Sequence, residues 1–149
     1  MDWKNCHLHH FSTGDAENKK EIKIGLPGQG LEGEVLSTWK ERIEDYFRFE
    51  GDWAVYIYDF GDLWEHILEL ESIQASEEGT TYPFCLAGEW ASPPEDCGGA
   101  DGYYRMLEIL ENPDHPEYES MIDWVGGEFD PEEFSCEEVK FADPDDELI

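Results

Sequence analysis

Basic residues are what this sequence has least of. Nine Lys and Arg stand against 38 Asp and Glu, a formal net charge of −29. Nucleic-acid affinity comes largely from Lys and Arg neutralising phosphates, so direct DNA or RNA binding is disfavoured. No apolar run approaches the ~18 residues that a membrane-spanning helix needs, so no membrane role is expected. The opening Met1-Asp2-Trp3-Lys4-Asn5-Cys6 lacks the basic-then-apolar order of a secretory signal. Only four cysteines occur, Cys6, Cys85, Cys97 and Cys136, and none forms a CxxC pair. The expected location is the cytoplasm, where they read as free thiols or ligands rather than disulfides. A GxSxG elbow is missing, and the glycine-rich stretch 25–33 lacks the GxxxxGK[ST] pattern of a phosphate cradle.

What is there is apolar and aromatic. The chain is 40% hydrophobic and 14% aromatic, too much apolar surface for a disordered polymer despite the charge. Its 149 residues suit one domain, 1–149, around one core. Acidity on this scale has three readings: a solvated surface that salt relaxes, a docking face for a basic partner, or a divalent-cation site.

Strands are expected over 7–11, 21–24, 53–60 and 63–73, the last two forming a hairpin around Gly61-Asp62. Alternation in the last strand sets Trp64, His66 and Leu68 on one face and Leu63, Glu65 and Ile67 on the other. Ser37 or Thr38 is positioned to cap a helix over 39–47, with Trp39, Ile43, Tyr46 and Phe47 on one face. A long Pro-, Gly- and Cys-rich loop fills 80–102. Asp101 is placed to cap a helix over 103–111. A second helix carries Pro116 in its first turn and ends at Gly126-Gly127. A last strand is expected over 138–141. Trp53, Tyr56, Tyr58, Phe60 and Trp64 are expected in the core. Strands first and helices later define an α+β fold with antiparallel strands and C-terminal helices.

Several uncommon words succeed one another along the chain: HLHHF at 7–11, YDFGDLWEH at 58–66, YPFCLAG at 82–88, PPEDCGGADGY at 93–103, NPDHPEY at 112–118 and WVGGEFDPEEF at 124–134. In this order they resemble the plasmid pRi open-reading-frame-three-like family, also met as a passenger protein of insertion elements. The resemblance covers about residues 1–139. It implies an α/β-roll-like architecture, a link to plasmids and transposable elements, and no defined activity. It also implies a strand and helix ahead of the residues matching Met1-Asp2-Trp3. An uncovered sheet edge or apolar face is therefore expected, for a partner protein or a second copy to cover. Some family members have a Cys just before PPED, where this chain has Ser92.

Two residue sets are candidates for chemistry. His7 and His9 would share a face of a strand and, with Cys85 and Cys97, make a Cys2His2 set suited to zinc. The alternative is that both imidazoles bond to neighbouring carboxylates. Asp59, Asp62, His66, Glu95 and Asp96 form the second set, fit for acid–base work or for binding a divalent metal through oxygens. The alternative there is turn chemistry, because Asp at a tight turn bonds local amides. The leading reading is a binding or accessory protein rather than an enzyme. Its alternatives are a metal-dependent hydrolase or transferase, and an acidic DNA mimic that occupies a basic protein.

Overall fold

The computed structural model describes residues 3–15 and 20–141. Five strands come first: β1 (His9–Asp15), β2 (Lys20–Gly25), β3 (Val35–Ser37), β4 (Trp53–Tyr58) and β5 (Trp64–Glu69). Two helices come after them, α1 (Gly99–Leu110) and α2 (Tyr118–Val125). The α+β architecture expected from the sequence is present. The sheet is open, ordered β3-β2-β1-β4-β5, and mixed, because β2 and β3 pair parallel while the other three pairings are antiparallel.

The chain forms two compact units, each discontinuous in sequence. One comprises Cys6–Ala75 with Gly98–Ala100, and holds the sheet. The other comprises the described residues of Met1–Asn5, Ser76–Cys97 and Asp101–Ile149, and holds both helices.

In the sheet unit, register decides which side chains meet. Phe11 stands opposite Ile24 on one side and Tyr56 on the other, and Tyr56 stands opposite His66. These residues share a face, and their rings meet across it at a tilt: Phe11 to Tyr56 at 4.6 Å and Tyr56 to His66 at 5.5 Å between centroids. Such cross-strand aromatic pairs are the contacts that stabilise a sheet. Ile24, Ala54 and Tyr58 form the buried core on that face. Trp53 and Ile67 point the other way and are exposed, so Trp53 is not the core residue expected of it.

In the helical unit, Met106 and Ile109 carry the buried face of α1, three residues apart as a helix requires. Asp101 lies in the first turn of α1 rather than capping it, where its carboxylate still meets the positive end of the helix dipole. Gly126 ends α2 in the left-handed conformation, and the amides of Gly126 and Gly127 both donate to the Ile122 carbonyl. That is the glycine C-cap expected of the pair. Among the described residues, no helix is long and apolar enough to cross a membrane.

Two expected elements are corrected. Residues 39–47 do not form a helix; a single 3-10 turn occupies Ile43–Asp45, and Arg42 ahead of it is extended. A helix of that length is marginal alone, and it would stack Glu41, Glu44 and Asp45 as like charges one turn apart. The Tyr46 hydroxyl instead donates to the Glu41 carboxylate. Nor is there a strand over 138–141. The chain makes a 3-10 turn at Cys136–Glu138, and the sheet is bounded by β3 and β5, with no later segment paired to either edge among the described residues.

Candidate functional site

A pocket of about 260 Å³ opens on the aromatic face of the sheet unit. Its floor is Phe11, Ile24, Ala54 and Leu68, one residue from each of four strands. Its wall is Ile43, Tyr46 and Phe47, the apolar side of the segment after β3. Ile43 lines the pocket and is still 74% exposed, so it stands at the mouth. Polar groups are few. Burial pushes His9 below the ordinary histidine value, so its imidazole is neutral at pH 7. Burial, then the Glu41 carboxylate, push the Tyr46 phenol up to about 12, so it remains a hydrogen-bond donor. A concave apolar site with a few fixed polar groups is the usual form of a binding pocket.

The β4–β5 turn holds the first of the sequence candidates. Asp59 is 8% exposed and has φ 57°, in the left-handed region that Asp tolerates better than most residues. Its Oδ1 accepts the Gly61 amide at 2.8 Å, and its carbonyl accepts the Leu63 amide at 2.6 Å. Its Oδ2 lies 3.6 Å from His7 Nδ1. Leu63 closes the turn at φ 55°, an uncommon conformation for a bulky side chain. Asp62 Oδ2 accepts the Gly98 amide at 3.0 Å. A Cβ on Gly99 would stand 2.5 Å from the Asp62 carbonyl oxygen. The turn and the two glycines are therefore built for each other. His66 Nδ1 lies 3.3 Å from the Tyr56 carbonyl, to which it can only donate.

The histidines of HLHHF go three ways. His7 lies ahead of β1, not on it, and reaches Asp59. His9 joins the pocket, its ring 5.9 Å from Tyr56. His10 packs on the opposite face against Phe60, ring centroids 5.5 Å apart. His7 therefore lies outside β1, with its ring 5.7 Å from that of Tyr58.

Glu95, Asp96, Cys85 and Cys97 belong to the helical unit. Glu95 Oε2 accepts the Lys4 amide at 3.0 Å, and the Trp3 indole donates to the Pro93 carbonyl at 2.8 Å. The Pro93-Pro94-Glu95 run thus anchors the first described residues of the chain. Asp96 turns the loop at φ 60°. Cys97 packs by its carbonyl against Gly102, where any Cβ would collide with that oxygen. Cys85 is engaged with Cys136, a pairing for which spacing along the sequence gives no signal.

An open mixed sheet followed along the chain by two helices defines an α+β protein. The chain belongs to the plasmid pRiA4b ORF-3-like protein family, whose model matches residues 1–138. A solved structure, that of a protein of unknown function, MM3350 from Methanosarcina mazei Go1, is similar at TM-score 0.83 and 43% identity. The similarity covers 95% of this chain and 77% of that one. The uncharacterized protein y4hQ of Sinorhizobium fredii is 31% identical over 127 residues, 85% of this chain. The chain spans 62% of that relative's length.

Proposed function

We propose that the protein is a non-catalytic binding protein, an accessory of plasmids or other mobile elements, acting in the cytoplasm as one domain. The pocket on the sheet face carries the reading: it is apolar, open at Ile43, and lined by side chains with ordinary packing roles rather than by reactive groups. Its occupant is an apolar side chain on a basic segment of a partner protein. Charge complementarity argues for this, because Glu41, Glu44 and Asp45 flank Ile43 on a chain of net charge −29. The family's plasmid name supports the mobile-element context.

The test uses a labelled amphipathic peptide of Leu and Lys, and a scrambled peptide of equal composition. The amphipathic peptide is expected to bind more tightly, and Ile43→Glu to weaken it by roughly tenfold, about 1.4 kcal/mol. Ile43 is exposed, so the variant should fold normally. Equal binding of both peptides, or no effect of Ile43→Glu, would reduce the attraction to bulk charge and end this reading.

One observation favours a second reading, metal-assisted or acid–base chemistry at His7 and Asp59. A buried carboxylate in left-handed backbone faces an imidazole at 3.6 Å, and such strain recurs at functional sites. Calorimetric titration with Zn2+, Mn2+ and Mg2+ should then give a heat that Asp59→Asn removes; no heat from any of the three ions rejects the metal form.

A further inference from the structure

Two words of the sequence that are distant along the chain meet in the helical unit. The Ala91 amide donates to the Pro131 carbonyl at 2.9 Å. Three residues back, Gly88 lies against the tip of the Phe134 ring, so close that a Cβ there would overlap it. Three further back, Cys85 interacts with Cys136, two residues beyond Phe134, while the Cys85 thiol donates to the Ala87 carbonyl at 3.4 Å. As one segment runs back from Ala91 to Cys85, the other runs forward from Pro131 to the 3-10 turn at Cys136, so the two lie side by side in opposite directions. Backbone, ring and thiol contacts all bring the two segments together.

We propose that Cys85 and Cys136 form a reversible disulfide couple that latches the 80–98 loop to the C-terminal turn. Both residues are only half-buried, so a small oxidant reaches them. The bond requires the two Cβ atoms to close to ~3.5–4.5 Å. The oxidant class is a low-molecular-weight disulfide such as glutathione disulfide. A thiolate of the pair attacks one of its sulfurs, forming a mixed disulfide and releasing one glutathione. The second protein thiol, on losing its proton, attacks the protein sulfur of the mixed disulfide and releases the other. Two protein thiols are oxidised, one glutathione disulfide is reduced to two glutathiones, and the two thiol protons end on them. Burial and the neighbouring Cys85 push the Cys136 thiol up, so latch closure should accelerate as pH rises from 7 to 9.

The full chain is incubated with glutathione disulfide, alkylated and mapped by mass spectrometry. The expected product is a Cys85–Cys136 cross-linked peptide pair, reversed by dithiothreitol, in wild type and in the Cys6→Ser, Cys97→Ser double variant. Cys85→Ser and Cys136→Ser should each abolish it and leave a stable glutathione adduct on the remaining partner. Oxidised wild type should also melt higher than reduced, a shift missing in both single variants. Cross-links scattered among all four cysteines, or glutathione adducts on wild type that never resolve, would overturn the proposal.

Discussion

Gly102→Ala is expected to lower the melting temperature by about 3–10 °C, the equivalent of about 1–3 kcal/mol of overpacking. The sign is the informative part. Gly102 sits inside α1, where alanine is ordinarily better than glycine by about 0.5–1 kcal/mol. Propensity alone therefore predicts stabilisation. A Cβ at this position, however, would overlap the Cys97 carbonyl oxygen, which is backbone and cannot rotate away. The clash should win, and a thermal melt reads the result directly. Gly14→Ala is the control: a Cβ there meets nothing within 4 Å, so its melting temperature should move little or rise. If Gly102→Ala melts at or above wild type, the helix does not press on the Cys97 turn as described.

The same close approach explains why part of the molecule is legible in the sequence. Glycines in PPEDCGGADGY mark where α1 begins against Asp62 and where it touches Cys97. The hairpin from 53 to 69 is readable because alternation has a period of two and Asp59 suits the left-handed start of the turn, although Leu63 at its end does not. The segment 39–47 is not. Its apolar positions do lie together, since Ile43, Tyr46 and Phe47 line one wall. Yet a helix and a pair of turns bracketing extended Arg42 place those side chains on the same side. Only the sheet beneath them decides between the two, and that is tertiary information. The candidate residues divide in the same way. Asp59 is held by the Gly61 amide two residues on, the turn chemistry that short acidic side chains favour, whereas Asp62 and Glu95 accept the distant Gly98 and Lys4 amides. The proximity of Cys85 to Cys136 depends on the packing of segments about fifty residues apart, which spacing cannot encode.

Asp59 should separate structure from charge. Asp59→Ala removes the acceptor for the Gly61 amide and puts a β-carbon residue without a polar side chain at φ 57°. The lost bond and the left-handed backbone together should cost about 2–4 kcal/mol. Asp59→Asn keeps an oxygen for Gly61 and a residue type that tolerates the backbone, but gives up the charge facing His7. A partly exposed ion pair is worth up to about 1 kcal/mol, so the asparagine variant should stay within that distance of wild type in a urea titration. A large loss for alanine and a small one for asparagine would assign Asp59 to holding the turn that receives Gly98 and Gly99. Equal large losses would mean that the carboxylate charge, paired with His7, carries the stability. In that event the second functional reading gains the support that hydrogen bonding alone does not give it. Equal small losses would mean that the β4–β5 turn is set by strand pairing, and that its aspartate is retained for something other than the fold.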